Sequence, residues 1–295
     1  MAKALATGET TRKFEVGEDG DVWTSNVPAD SGRVTRITAP VGTSGLIFER
    51  LHSWVDQNTR TGLKLSASAT DIFVEDHATL TRVLIQDSST QYEAADIIQL
   101  SEAHVRLGAG AKFRQFILAD GAKLARIETH VDVEGEGAHV ELNGVYMTGV
   151  GRHADLTSVI NHYVASCETR QLIKGVARKG GRGVFQGKIV VAKGAQKTDA
   201  RQYHHGMLLE EGAEIFAKPE LMIHADDVQC AHGNTAGGLD ERALFYMRSR
   251  GVPEAEARAL LIESFLVEAI PSGLPEELHN ELVDRIRAWL AGGAA

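Results

Sequence analysis

Cysteine, aromatic residues and positive charge are all scarce in this sequence, and each shortage argues against a class of protein. Two cysteines among 295 residues cannot form a disulfide framework, so a reducing cytoplasm is the expected compartment, although a single Cys167–Cys230 bridge is not excluded. A net charge of -9 disfavours binding to nucleic acid or to an anionic membrane, because their phosphates attract faces rich in lysine and arginine. Aromatic residues make up 6% of the chain, which is few for a sugar-binding cleft.

Several sequence motifs are absent as well. No apolar run approaches the roughly 18 residues of a membrane span, and the first residues lack the apolar core of a signal peptide. The stretch GAQKT at 194–198 lacks the glycine that a phosphate-binding loop places beside its lysine, so we expect no nucleotide to bind this chain. Neither a Gly-x-Ser-x-Gly elbow nor a Cys-x-x-Cys pair occurs.

Short β-type runs broken by glycine dominate residues 35–230. Examples are GLIFERL, DIFVED, LTRVLIQ, KFRQFILAD, HVELNGVYM and GKIVVAKG, which are rich in β-forming residues and partly alternate with polar ones. The pattern alanine-x-apolar recurs, as in AKF at 111–113 and AHV at 138–140. Small residues at tight corners, followed by inward apolar residues that stack on their neighbours, favour a β-solenoid. The alternative is a β-sandwich, whose hairpins also need glycine turns.

After residue 238 the pattern becomes helical. Asp240 can cap a helix over ERALFYMRSR, which Gly251 would end, and Pro253 fits the first turn of the next helix. A third segment begins at Pro275 and repeats apolar residues four apart. These amphipathic segments predict a small helical bundle that caps the β region or offers a docking face. The expected divisions are an N-terminal segment 1–34, a β core 35–238 and a helical subdomain 239–295.

The stretch MIHADDVQCAHG at 222–233 gathers the candidate ligands. On a β-strand Cys230 and His232 would project from one face, since residues two apart point the same way. A thiolate, imidazoles and carboxylates can bind zinc or iron, and a nearby helix N-terminus would favour the thiolate of Cys230. The alternative is structural: Cys230 is buried, His232 bonds a backbone carbonyl, and Asp226 and Asp227 mark a turn.

A set of ordered segments carries a family resemblance over about residues 195–270. The segments are KTD at 197–199, KP at 218–219, ADDV at 225–228, CAHG at 230–233, LFY at 244–246 and RSRG at 248–251. With these segments the chain resembles the SufB/SufD family of iron–sulfur cluster assembly proteins. The resemblance is closer to SufD, because SufB carries a cysteine where this chain has QYHH at 202–205 and reads Glu-His-Glu at the AHG of 231–233.

This resemblance implies both a fold and a function. The fold is a right-handed parallel β-helix, a β-solenoid, with a small C-terminal helical subdomain. The function is that of a non-enzymatic scaffold that pairs with a SufB homologue through the β-helix. It also docks the ABC-type ATPase SufC through the C-terminal helices, and ATP-driven movement opens the cluster-forming interface. The iron–sulfur cluster would be transient and shared with the partner, with His232 and Cys230 as the metal ligands of this chain. Without SufB a homodimer is left open.

Two features depart from the family pattern or fit no motif. Family members usually carry a longer N-terminal segment with helices, so the role of residues 1–34 is open. His204 and His205 match no pattern, and we expect them to be exposed histidines of a loop.

Two other function classes are alternatives. One is a stand-alone β-solenoid metalloenzyme that uses His224, Cys230 and His232, which would require three or more ligands held by the monomer. The other is a carbohydrate lyase that uses Asp226 and Asp227 as acid and base, an interpretation weakened by the scarcity of aromatic residues.

Overall fold

Parallel strand pairing organises the β region. The computed structural model describes residues 12–15, 22–28, 34–52, 64–86 and 97–292. Successive strands alternate between two sheets, and within each sheet a strand pairs in parallel with the strand two positions away in sequence. The chain therefore winds as a β-solenoid, and the predicted mainly β fold class is confirmed. Parallel ladders argue against the β-sandwich, whose hairpins are antiparallel.

We name the two sheets by their strand numbers. The odd sheet contains β1 (Arg12–Glu15), β3 (Val34–Ala39), β5 (Lys64–Val74), β7 (Ile97–Leu107), β9 (Leu124–Val133), β11 (His153–His162), β13 (Arg182–Val191) and β15 (Glu214–Ile223). The even sheet contains β2 (Val22–Pro28), β4 (Ser44–His52), β6 (Thr79–Gln86), β8 (Lys112–Ala119), β10 (His139–Thr148), β12 (Glu168–Ala177), β14 (Asp199–Leu208) and β16 (Gln229–Gly237). Strands thus begin ahead of residue 35, and the rest of segment 1–34 lies outside the described residues.

Because apolar and polar residues alternate along each strand, the apolar face of the strand lies in the interior of the solenoid. Val140 on β10, Thr169 on β12 and Ala200 on β14 are in register and 0% exposed. Successive coils therefore stack equivalent positions into columns that run along the solenoid. The main interior cluster extends from Ile37 to Ala225. Full burial of each large apolar side chain in it contributes about 1.5–3 kcal/mol.

The recurring alanines occupy two kinds of position. Ala78, Ala111 and Ala138 immediately precede β6, β8 and β10 and are at most 1% exposed, as expected for small residues at tight corners. Ala103 lies instead within β7, where it is also buried. The motif marks strand starts in some coils and strand interiors in others, which explains its irregular spacing.

Three helices follow the solenoid: α1 (Glu241–Ser249), α2 (Glu254–Val267) and α3 (Glu276–Gly292). The carboxylate of Asp240 caps α1 by accepting hydrogen bonds from the backbone N–H groups of Arg242 and Ala243, at 2.9 and 3.2 Å. Gly251 follows α1 with a φ of +88°, a conformation that glycine adopts without strain. In the described part of the chain, none of the helices has the length and apolar character needed to cross a membrane.

The outer face of the even sheet packs against the last two helices. Met147 on β10 and Val176 on β12 share one hydrophobic cluster with Leu266 on α2 and Leu282 on α3. The outer face of the odd sheet carries mainly half-buried polar and charged side chains. The two sheets therefore differ in what covers them.

Charged side chains on β12 and just after its end anchor this packing. Lys174 is nearly buried beneath α2, where it pairs with Glu268 and lies 4.5 Å from the ring centroid of Phe265. The guanidinium of Arg178 lies 4.2 Å from the ring centroid of Trp289 on α3. These cation–aromatic contacts add to the apolar packing by about 0.5–2 kcal/mol each.

Close packing around Tyr146 requires glycine on the neighbouring strands. Tyr146 is 0% exposed inside the solenoid. A Cβ at Gly175 would lie 1.8 Å from its Cζ, and a Cβ at Gly183 would lie 2.1 Å from its Cε2. The ring therefore occupies the space that side chains at these two positions would need.

We predict that Gly175→Ala destabilises the fold, because a methyl group there overlaps a buried ring that cannot move into solvent. Overpacking of this kind costs about 1–3 kcal/mol, and we expect the upper end of that range. Urea unfolding measures the change. Gly149→Ala is the matched control, because a Cβ at Gly149 meets no atom within 4 Å. Equal losses in the two variants would contradict the packing argument.

Candidate metal site at the open end of the solenoid

The last coil of the described solenoid leaves its interior uncovered. β15 pairs with β13 alone and β16 pairs with β14 alone, so each strand has one unpaired edge among the described strands. Ile223 on β15 is 42% exposed, whereas Val191, its register partner on β13, is 0% exposed. We call the uncovered interior face of β15 and β16 the opening.

Cys230 and His232 line the opening. In the parallel register Cys230 pairs with Ala200 and His232 pairs with Gln202, and both partners are 0% exposed in the interior. Because residues in register share an orientation, the thiol and the imidazole face the same interior space. The structure thus brings these two side chains together at the end of the solenoid.

The thiol of Cys230 is half-buried and packs against the interior hydrophobic cluster. Burial raises the pKa of this thiol, and a backbone hydrogen bond at Ala200 offsets only part of the increase. The expectation that a helix N-terminus favours the thiolate is therefore wrong, since α1 begins only at Glu241 and burial dominates. Cys167 is a free thiol as well, so the two cysteines form no bridge.

His232 is exposed at the opening, and its imidazole makes no hydrogen bond to the described residues. The structural interpretation, in which it bonds a backbone carbonyl, is therefore not supported. In the column beneath it, Gln202 donates from Nε2 to Oε1 of Gln171 at 2.8 Å. Oε1 of Gln202 is buried without a partner in the described chain, which costs about 1–3 kcal/mol. An unused acceptor thus lies below the imidazole.

His204 is a functional candidate that the sequence analysis missed. It is 0% exposed in the coil before the opening. Its Nδ1 lies 2.7 Å from Oδ1 of Asn234 on β16, and its Nε2 lies 2.9 Å from the hydroxyl of Tyr146. Burial lowers the pKa of His204 to about 4. The ring is therefore neutral near pH 7, donates from Nδ1 to the Asn234 oxygen and accepts from Tyr146 at Nε2.

The expectation that His204 and His205 are exposed loop histidines is wrong. Both lie within β14, where neighbouring side chains point to opposite faces. His204 faces the interior, whereas His205 faces outwards, with Nδ1 2.7 Å from Oγ1 of Thr235. Burial lowers the pKa of His205, and the nearby charge of Lys174 lowers it further. Alternation along the β-type pattern could have separated the two histidines.

The other candidate ligands form no metal-binding group with Cys230 and His232. His224, Asp226 and Asp227 are exposed in the connection between β15 and β16. Among the residues that the structure describes, the group of three or more metal-binding side chains lies on β7 and β9, and His224, Cys230 and His232 form no such group. His224, Cys230 and His232 therefore lack the shared geometry that the stand-alone metalloenzyme would require of them. Asp226 and Asp227 are consecutive residues of an exposed bend, not opposed groups of a lyase cleft.

A comparison with known protein families shows to which family this chain belongs. The profile of the family described as SUF system FeS cluster assembly, SufBD core domain, matches residues 31–265. The chain belongs to the SufBD family. This SufBD protein is 36% identical over 182 residues to the iron-sulfur cluster assembly protein SufD of Escherichia coli strain K12. That alignment covers 62% of this chain and 43% of the E. coli protein.

Other SufBD relatives extend the similarity. The SufBD family protein Mb1497 of Mycobacterium bovis is 30% identical over 228 residues, which cover 75% of this chain and 56% of the relative. Protein ABCI7, chloroplastic, of Arabidopsis thaliana is 30% identical over 279 residues, which cover 94% of this chain and 57% of the relative. The chain spans about half the length of the curated relatives it matches. It is a SufD-like member of the iron–sulfur cluster assembly family.

Acidification should destabilise the fold through His204. Its pKa of about 4 lies below the ordinary value of 6.5, so the unfolded chain binds more protons between these pH values. The free energy of unfolding therefore falls as the pH falls through this window, by roughly 3 kcal/mol for one such group. Above about pH 6.5 the contribution is fully present. Urea unfolding at about pH 7 and about pH 4.5 measures the loss.

His204→Gln removes this titration. The variant should be less stable near pH 7, because the bridge between Tyr146 and Asn234 is weakened, yet it should lose less stability on acidification. His162 is the matched comparison, since burial lowers its pKa to about 4 as well. His162→Gln should also reduce the pH dependence, and the two effects should add. An unchanged pH dependence in His204→Gln would rule out His204 as a titrating group.

Proposed function

We propose that this SufBD protein provides one half of a site for iron–sulfur cluster assembly and that a SufB homologue provides the other half. The observation that supports the proposal is the pair Cys230 and His232, which face the uncovered interior of the last coil. The chain acts as a non-enzymatic scaffold, and the cluster is its transient cargo. Because both cysteines are free thiols, we place the protein in a reducing cytoplasm.

Ligand chemistry explains why the site is shared. Iron–sulfur clusters are held mainly by thiolates, and histidine replaces cysteine in some of them. The opening offers one thiol and one imidazole, so the remaining ligands must come from another chain. Burial keeps the thiol of Cys230 protonated in the isolated protein. Binding of a metal to Cys230 must release that proton. We therefore expect Cys230 to capture iron only when further ligands or charges are close.

The unpaired edges of the last coil suit a partner of similar shape. β15 and β16 present free backbone N–H and C=O groups beside an opening that includes exposed apolar side chains such as Ile223. Such edges pair readily with another strand. A homologue with the same coil geometry matches them in spacing and twist, which favours a SufB homologue. Without that partner, the same surface is compatible with a second copy of this chain.

The C-terminal helices offer a second surface, and we propose that SufC docks there. Phe245 and Tyr246 on α1 are 72% and 59% exposed, and Leu260 on α2 is 44% exposed. Large apolar side chains clustered at a surface mark interaction sites. Since this chain lacks a phosphate-binding loop, ATP binding and hydrolysis fall to SufC. The subdomain 239–295 is then the docking unit.

A short connection links the two surfaces. β16 ends at Gly237 and α1 begins at Glu241. α2 is anchored to the even sheet by the pair of Lys174 and Glu268. Force applied to α1 by SufC therefore reaches β16 through three residues, against a sheet that the other helices hold in place. This geometry supports the proposal that ATP-driven movement opens the cluster-forming interface.

His232→Ala should prevent cluster formation and leave assembly intact, because the imidazole is exposed and bonds none of the described residues. The test is co-expression with the SufB and SufC homologues of the same organism, anaerobic purification, and analysis of iron and sulfide. The wild-type complex should hold both, and the isolated chain should hold little. His232→Ala should form the complex without retaining the cluster.

His224→Ala is the matched control for this experiment. His224 is an exposed histidine near the same end of the solenoid, outside the opening, so its loss should leave iron and sulfide unchanged. A His232→Ala complex that holds as much cluster as the wild type would contradict the shared site. Loss of folding in His232→Ala, seen by circular dichroism, would instead assign the residue a structural role.

Replacing both Phe245 and Tyr246 by alanine should weaken SufC docking and preserve pairing with the SufB homologue. Aromatic anchors at the centre of an interface contribute about 2 kcal/mol or more, so the affinity for SufC should fall by roughly thirtyfold. Titration calorimetry with purified SufC measures this loss. Val150→Ala is the control, since Val150 is 83% exposed on the solenoid surface. Undiminished SufC affinity in the double variant would place the docking surface elsewhere.

A further inference from the structure

A second cluster of metal-binding side chains lies on the outer face of the odd sheet, away from the opening. We propose that Glu102, His104 and His130 bind a divalent first-row transition-metal ion, with Zn²⁺ and Fe²⁺ as the best-fitting ions. Each residue offers one ligand atom, and these atoms all lie within 4.8 Å of one another. This site is independent of the function proposed above.

The parallel register builds the cluster from two Glu-x-His segments. Glu102 on β7 is in register with Glu128 on β9, and His104 is in register with His130. Residues two apart on a strand share a face, so the four side chains project outwards from one patch of the sheet. The two imidazole rings are stacked, with centroids 4.8 Å apart and planes 11° apart.

The distances between the ligand atoms are compatible with a site for one metal ion. Nε2 of His104 lies 2.9 Å from Oε1 of Glu102, and Nε2 of His130 lies 4.0 Å from the same oxygen. Ligand atoms that are about 2.0–2.1 Å from a tetrahedral ion are roughly 3.4 Å apart. The observed separations lie on either side of that value. Because lone pairs in nearly parallel ring planes do not converge, the two imidazole rings must rotate to bring all three ligands onto one ion.

The charges of the cluster also favour a cation. Glu102 and Glu128 lie side by side on neighbouring strands, where like charges repel. Oε1 of Glu128 lies 3.0 Å from Nε2 of His130, which places a second negative charge beside the three ligands. Nε of Arg126 lies 3.2 Å from Oε2 of Glu128, but this guanidinium also contacts Asp155 at 3.5 Å. Arg126 is thus shared between two carboxylates, whereas a divalent ion would compensate both glutamates.

The donor set selects the class of ion. Two imidazoles and one carboxylate bind zinc with an open fourth position, and the same set binds non-haem Fe²⁺. Mg²⁺ and Ca²⁺ prefer oxygen ligands alone. The side chains of His104, His130 and Glu102 are 45%, 26% and 27% exposed, so an ion can reach them from solvent.

Calorimetric titration of the full chain with ZnCl₂ tests the proposal. The starting protein carries Cys230→Ala and His232→Ala, so that metal binding at the opening cannot contribute to the signal. We expect about one zinc ion per chain and no measurable binding of MgCl₂. Adding His104→Ala and His130→Ala should weaken zinc binding by far more than tenfold, because losing only an outer partner of a ligand costs about 10–100-fold. Anaerobic titration with Fe²⁺ compares the two ions.

His139→Ala is the matched control. Nδ1 of His139 lies 3.1 Å from Oε2 of Glu168 on the even sheet, in a half-exposed His–Glu pair. The control should bind zinc as the starting protein does. Zinc should raise the Tm of both proteins, and it should not raise the Tm of the variant that lacks His104 and His130.

Two outcomes would overturn the proposal. Zinc binding that survives the loss of His104 and His130 would locate the ion elsewhere, and an equal loss in the His139 control would reveal unspecific binding by surface histidines. If the double histidine variant unfolds, Glu102→Gln provides the second test. It replaces the carboxylate by an amide of the same shape, keeps both imidazoles and should still weaken zinc binding by about tenfold or more.

Discussion

The in-register parallel pairing of successive coils is the constraint on which the rest of the structure depends. Each ladder aligns a residue with its equivalent in the preceding coil, as Cys230 aligns with Ala200 and Ala200 with Thr169. A side chain therefore takes its orientation from its column, and a slip of one residue would turn a whole strand inside out. The same constraint explains Gly175, whose missing side chain leaves space for Tyr146 of the preceding coil.

The last residue of a column lies at the end of the solenoid, in a different chemical environment from the residues inside it. Inside the solenoid a polar side chain needs a partner, and His204 meets this need by staying neutral between Tyr146 and Asn234. One coil further, His232 occupies the column of Gln202, and none of the described coils lies above it. The layer beneath the opening is therefore buried and hydrogen-bonded except at Oε1 of Gln202, whereas His232 in the outermost layer is exposed. A fixed base below the candidate ligands Cys230 and His232 is compatible with the proposed site shared between two chains.

Local patterns predicted the strands and helices because these elements depend on neighbouring residues. Alternation marked the strands, and Asp240 and Gly251 marked the ends of α1. Such patterns could not predict which residues of successive coils are aligned, since register depends on turn geometry across many residues. His204 was assigned to a loop although alternation along β14 could have placed it, whereas burial of Cys230 against the preceding coil, which reversed the expected direction of its pKa shift, was beyond local patterns. The cluster of His104 and His130 was missed for the same reason, because each strand alone carries one unremarkable Glu-x-His segment.

The outer faces of the two sheets differ in character because the described helices cover only that of the even sheet. The even sheet buries apolar residues such as Met147 and Val176 under α2 and α3, and its last strand leads directly into α1. A connection of three residues therefore joins α1 to the strand that carries Cys230 and His232. The outer face of the odd sheet packs against none of the described helices, so its columns can carry charge. Glutamates in register on that face, such as Glu102 and Glu128, repel each other, and opposite charges or a bound cation offset this repulsion. The helices proposed to dock SufC and the cluster proposed to bind an ion thus lie on opposite faces of one solenoid.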